Sequence, residues 1–115
     1  MRLKSEIWVQ AYLRICAANG VTGVLARRGD RDAGAIYVRV VRLDGFCDLF
    51  GPAAAGLEGA DAERRFVPCL GKNPVADPEA DRYLARQTGY DPDLWIVEIE
   101  DRTGRHCLDD WLVPA

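Results

Sequence analysis

The sequence predicts an α+β fold: a mostly antiparallel sheet of about four or five strands, an N-terminal helix, and a second helix before the last strand. Three observations carry this expectation. Residues 5–19 have the apolar spacing of a buried helix, and Asp44-Gly45 sits between two apolar runs as a hairpin turn. Residues 94–101 alternate apolar and polar side chains, as a half-buried strand does. With 115 residues, 49% hydrophobic and 29% charged, the chain has material for one core, and residues 1–115 read as a single domain.

The first helix runs from Ser5, read as its N-cap, to Asn19, with Gly20 placed to close it in a left-handed conformation. Ile7, Trp8, Ala11, Tyr12 and Ile15 form its core stripe, and Val9, Leu13 and Cys16 add a second apolar row. Val21–Arg28 and Ala35–Leu43 read as strands joined by the turn residues 29–34. A two-residue Asp44-Gly45 loop then returns the chain antiparallel through Phe46–Phe50, setting Val40 opposite Leu49 and Val38 opposite Gly51. In that register Ile36, Val38, Val40, Cys47 and Leu49 share the core face. Tyr37, Arg39, Val41, Leu43, Phe46, Asp48 and Phe50 share the other.

Residues 51–60 are rich in Gly and Ala and read as a loop. Arg64–Leu70 contains Pro68, which confines it to a sheet edge or a bulge. Asp77-Pro78-Glu79 opens the second helix, with Asp77 as N-cap, a thin apolar stripe of Ala80, Tyr83 and Leu84, and Gly89 as its end. In the last strand Trp95, Val97 and Ile99 face inward and Glu98 and Glu100 outward.

Composition excludes several functions. No apolar run of signal-peptide or membrane-spanning length is present, so a cytoplasmic protein off the membrane is expected. Cys16, Cys47, Cys69 and Cys107 have no C-x-x-C spacing, so free thiols are expected rather than a zinc or redox site. A net charge of −3 argues against a general nucleic-acid binder. Residues 1–42 hold eight basic and three acidic side chains, the remainder seven and fifteen; neither half is a low-complexity run, so the two should interleave.

No standard catalytic pattern survives inspection. Ser5 and His106 are the single Ser and His, and there is no G-x-S-x-G elbow, P-loop or G-x-G-x-x-G. No catalytic residue, metal ligand or cofactor is assigned. Asp93, Glu98, Glu100 and Asp101 resemble the layout of metal-dependent nucleases, but Glu100 stands where an assisting lysine belongs. Arg27, Arg28 and Arg31 flank the first turn, and with Arg64 and Arg65 they form a candidate anion-binding set, although Asp30 and Asp32 lie among them. The tripeptide Arg28-Gly29-Asp30, known from cell-surface adhesion, is a chance match in a cytoplasmic protein.

The stretches Met1–Val9, Arg27–Ala35, Arg42–Gly45, Gly51–Pro52, Glu63–Phe66 and Leu94–Arg102 together resemble the bacterial family called domain of unknown function 1491. That resemblance implies a small alphaproteobacterial cytosolic protein with no assigned activity, and it carries no catalytic residue over. The leading functional expectation is a non-enzymatic interaction module forming a homodimer, with its protein partner undefined. Its interface candidates are Val9, Leu13, Val41 and Phe50, drawn from apolar excess on the first helix and the outer hairpin face. The alternatives are a metal-dependent phosphoesterase or nuclease using the acidic strand, and an anion- or RNA-binding module using the arginines.

Overall fold

Helix α1 (Ser5–Ala18) buries Ser5, Trp8, Val9, Tyr12 and Cys16, the spacing of one helical face. The structure, a computed structural model, describes residues 2–54 and 63–113. The buried stripe is rotated from the expected one: Ile7 and Ile15 are 48% and 38% exposed. Ser5 explains the rotation, because its hydroxyl is fully buried and donates to the Gly34 carbonyl at 2.7 Å. Nor is Ser5 the N-cap. Lys4 holds that position without a side-chain cap, and the first helical amides find carbonyls elsewhere. Ser5 N–H donates to Asp32 O and Glu6 N–H to Arg31 O. Gly20 does close the helix at φ 74°, with Val21 N–H bonded to Cys16 O at 2.8 Å.

Strands β1 (Thr22–Arg27), β2 (Ile36–Val41), β3 (Phe46–Pro52), β4 (Phe66–Pro68), β5 (Val75–Ala76) and β6 (Trp95–Glu100) form one sheet. Its order is β1-β6-β2-β3-β4, with β5 also paired to β3. The sheet is mostly antiparallel, as the sequence predicts, but β1 and β2 are not a hairpin. The last strand lies between them, antiparallel to β1 and parallel to β2. Burial accounts for this arrangement. Val38, Val40, Val97 and Ile99 are fully enclosed and belong at the centre, whereas β1, with Gly23 and Ala26, is mostly exposed and takes the edge.

The β2–β3 hairpin is out of the expected register by one residue: Val38 pairs with Phe50 and Val40 with Asp48. Arg42 N–H bonds to Phe46 O, so the loop is Leu43-Asp44-Gly45, with φ of 66° at Leu43 and 93° at Gly45. A one-residue slip turns a whole strand over. Phe50 therefore joins Ile36, Val38 and Val40 beneath α1, while Cys47 and Leu49 turn with Tyr37 to the opposite face.

Helix α2 (Asp77–Tyr90) covers that opposite face with Ala80 and Leu84. Ala76, not Asp77, is its N-cap, Pro78 lies in the first turn, and Gly89 falls inside the helix rather than ending it. The apolar outer face of the hairpin is thus a second core beneath α2. Val9 and Phe50, 2% and 5% exposed, are core residues of the first, which corrects their assignment to an interface. Leu13 and Val41 are half-buried. Residues 55–60 of the expected Gly/Ala-rich loop lie outside the described residues. Pro68 ends the edge strand β4, and Trp95, Val97 and Ile99 face inward, as read from the sequence. The C-terminal segment crosses back over α1: Leu108 is fully buried, Trp111 meets Trp8 edge-on at 5.3 Å, and Leu112 bridges Phe66.

One buried charge ties the layers together. Arg39 on β2 reaches Asp81 at 2.5 Å and Asp77 at 3.1 Å on α2, and Glu98 on β6 at 3.9 Å. Burial alone would depress its pKa, but hydrogen bonds to Asp81 and Asp77 outweigh that and raise it. Replacing Arg39 with Ala removes the partner of the half-buried Asp77 and Glu98 and the exposed Asp81, and leaves space under α2. Urea denaturation of Arg39→Ala should show a loss of about 2–4 kcal/mol; a loss within about 0.5 kcal/mol, the usual range for surface substitutions, would show that the cluster holds nothing.

Candidate anion-binding site

The crossover from β1 to β2 carries the first arginine group, and the fold pairs two of its members, Arg28 and Arg31, with Glu6. Gly29 packs against the start of β6, where a Cβ would overlap the Asp93 carbonyl, so only glycine fits. Asp30 N–H donates to Asp93 O at 2.8 Å, and the Trp95 indole N–H donates to Asp30 O at 2.7 Å. The Arg28-Gly29-Asp30 tripeptide is thus a packing device. Arg28 pairs with Glu6 and lies over the Trp95 ring, Arg31 is 3.6 Å from Glu6, and Arg27 donates to Pro92 O at 2.8 Å. Arg65 has its own partners, Glu63 at 3.2 Å and the Asp110 carbonyl.

Arg64 differs from the other four in depth: Arg27 also donates only to a backbone carbonyl and has a buried Nε–H without an acceptor, but it is half-buried. Arg64 is 7% exposed, and its guanidinium donates only to neutral acceptors, Ser5 Oγ at 2.8 Å and Leu3 O at 3.0 Å. Among the described residues no carboxylate pairs with it, and its Nε–H is buried without an acceptor. Burial first, then the Arg2 charge, pulls its pKa down to about 10, so it remains a cation at neutral pH. Trp8, 2% exposed, is beside it and also has a buried indole N–H without an acceptor. A cavity of about 100 Å³ is lined by Arg2, Leu3, Trp8, Glu63, Arg64 and Trp111. Sequence reasoning singled out Arg64 but missed Ser5 and Trp8, because no spacing rule links residues so far apart along the chain.

The acidic strand is not gathered into a site. Asp93 and Asp101 flank β6 at opposite ends, roughly 25 Å apart along an extended chain. Glu98 leans toward Arg39, and Glu100 is exposed. Asp101 instead organises a turn, accepting from Thr103 Oγ1 at 2.7 Å, Arg105 N–H at 2.8 Å and Arg105 Nε at 3.0 Å. Among the described residues no cluster of three His, Cys, Asp or Glu is placed to hold a metal ion.

A wider cleft of about 280 Å³ lies at the end of α1, lined in part by Asn19, Arg105, His106, Cys107 and Trp111. Its groups are engaged in structure. Tyr12 OH donates to the His106 carbonyl, and His106 Nδ1 accepts from Leu108 N–H at 2.9 Å. Arg105 is held by Asp101 and the Asn19 carbonyl. Burial pushes the Cys16 thiol up to about 12, far from a nucleophile's range. All four cysteines are free thiols, and no helix among the described residues is long and apolar enough to cross a membrane.

These features define a class: a mixed sheet with one helix on each face, and one buried arginine at the margin of the larger core with no carboxylate partner among the described residues. The chain belongs to the DUF1491 family, described as proteins of unknown function, whose model matches residues 3–109. It is similar to a crystal structure and to an NMR structure, each of a DUF1491 family protein from Caulobacter crescentus CB15. The crystal structure is 36% identical with a TM-score of 0.79, covering 99% of this chain and 100% of that one. The NMR structure is 38% identical at a TM-score of 0.80, covering 99% of each chain. Protein Atu0922 from A. tumefaciens, solved in solution, is 40% identical with a TM-score of 0.76 over 88% of this chain and 87% of that one. No curated protein matches the chain.

The Asp101 carboxylate is held below the usual range by hydrogen bonds from the Arg105 amide and side chain and from Thr103. A carboxylate with a depressed folded pKa stabilises above its unfolded value, near 3.9, and that contribution is lost as pH falls through the folded value. Denaturation midpoints at pH 7 and pH 2.5 should therefore fall further apart in the wild type than in Asp101→Asn; equal spacing would contradict the assignment.

Proposed function

We propose that this protein is a non-enzymatic interaction module that self-associates through the free edge of β1. The observation that carries the reading is that, among the described residues, β1 pairs with β6 on one side only. Val24 and Leu25 on it are 55% and 38% exposed, and no charge or proline interrupts Thr22–Ala26. Edge strands of stable monomers are ordinarily blunted by such residues, and here only the bulge between Leu25 and Arg27 does so.

A second copy of the chain suits this edge. Antiparallel pairing about a two-fold axis perpendicular to the sheet sets Val24 against Val24 on one face and Leu25 against Gly23 on the other. Gly23 has no side chain, and Leu13 of α1 lies over it, 2.8 Å from where a Cβ would be. Leu25 of the second copy then packs against Leu13, which keeps one of the sequence-derived interface candidates. Four free thiols suit work in the reducing cytoplasm.

Sedimentation at micromolar concentration tests the proposal. The wild type should sediment as a dimer and Val24→Lys, a change at an exposed position, as a monomer of unchanged fold. A monomeric wild type, or a dimer indifferent to Val24→Lys, overturns it.

A further inference from the structure

We propose that the cavity beside Arg64 and Trp8 is a binding site for a small oxyanion, a carboxylate or a phosphate-sized group. The site is distinct from the β1 edge and does not depend on self-association. Its first support is charge. Arg64 is enclosed as a cation, its two acceptors Leu3 O and Ser5 Oγ are neutral, and Arg2 adds a second positive charge to the cavity lining. Among the described residues the other buried arginine, Arg39, faces Asp77 and Asp81, and the half-buried Arg42 forms a two-point pair with Asp48 at 2.8 and 3.1 Å, whereas the half-buried Arg27 has only the Pro92 carbonyl. A buried charge without a counter-ion is otherwise costly to keep.

The second support is the pair of orphan donors. Among the described residues, Arg64 Nε–H and the Trp8 indole N–H are both buried without acceptors, on residues more than nine-tenths enclosed that line one cavity. An oxyanion offers several acceptor lone pairs and the missing charge together. Ordered water would serve the donors but leave the charge unmatched. Glu63, the carboxylate in the lining, is 58% exposed and engaged with Arg65. A volume of about 100 Å³ has room for a carboxylate or phosphate group.

Titration of the ¹⁵N-labelled protein with acetate and with phosphate, each against chloride at equal ionic strength, tests the site. The reporter is the Trp8 indole N–H resonance, identified by its loss in Trp8→Phe. It should shift saturably with acetate or phosphate and not with chloride, and the better ligand separates planar from tetrahedral recognition. Arg64→Gln should weaken that binding by about tenfold or more. Should that variant fail to fold, Arg2→Gln, at an exposed position, should weaken it by about threefold. No saturable shift with either oxyanion, the response expected of a cavity holding only water, overturns the proposal. So does binding unchanged in Arg2→Gln or in folded Arg64→Gln.

Discussion

The structure depends on β6 entering the sheet between β1 and β2. Until it does, both strands lack their main partner, since among the described residues β1 pairs with no other strand and β2 otherwise has only β3. The insertion is a long-range event, closing a loop of dozens of residues before any ladder bond rewards it. The crossover at residues 28–34 is built to receive it. Gly29 admits the Asp93 carbonyl, Asp30 bonds to both Asp93 and Trp95, and Trp95 N–H then continues the ladder to Ala35 O. The same crossover satisfies the first amides of α1 through Arg31 O and Asp32 O. One short segment therefore sets the strand order, orients the helix and buries Ser5, on whose hydroxyl Arg64 rests.

Charge is distributed by the same logic. The basic first part of the chain and the acidic remainder interleave: Arg39 meets Asp77, Asp81 and Glu98, and Arg42 meets Asp48. The Arg42–Asp48 pair is capped by Gly104, where a side chain would collide with the guanidinium. Against these pairs Arg64 stands apart as the cation buried in the core margin with neutral company among the described residues. Structural arginines at this depth ordinarily bring a carboxylate with them, so the mismatch points toward binding rather than toward stability.

The first and second cores differ in kind. Beneath α1 the packing is aromatic, with Trp8 stacked on Tyr12 at 4.9 Å and meeting Phe66 and Trp111, so that helix, edge strand and C-terminal segment lock around one indole. Beneath α2 the contacts are smaller and the polar Arg39 cluster shares the interface. Neither helix leaves a broad apolar stripe unpartnered. What stays open is the backbone of β1, whose hydrogen-bonding groups have no partner on their outer side among the described residues.

Local chemistry made much of this legible in the sequence. The α1 pattern, the Gly20 closure, the turn at Asp44-Gly45, the edge position of Pro68 and the inward Trp95, Val97 and Ile99 all follow from periodicity and turn residues. These depend on neighbours a few positions apart. Tertiary structure alone decided the strand order, because pairing β6 with β2 minimises exposed apolar surface for the whole sheet rather than for any segment. It also decided the hairpin register: a three-residue loop differs from a two-residue one by a single peptide, yet it moved Phe50 into one core and Leu49 into the other. The candidate site divides in the same way. Arg64 is visible as a basic residue, but its burial, its neutral partners and its cavity exist only once Ser5, Trp8 and Trp111 are brought to it from both ends of the chain. Burial and charge matching are properties of three-dimensional neighbourhoods, and spacing along a chain does not encode them.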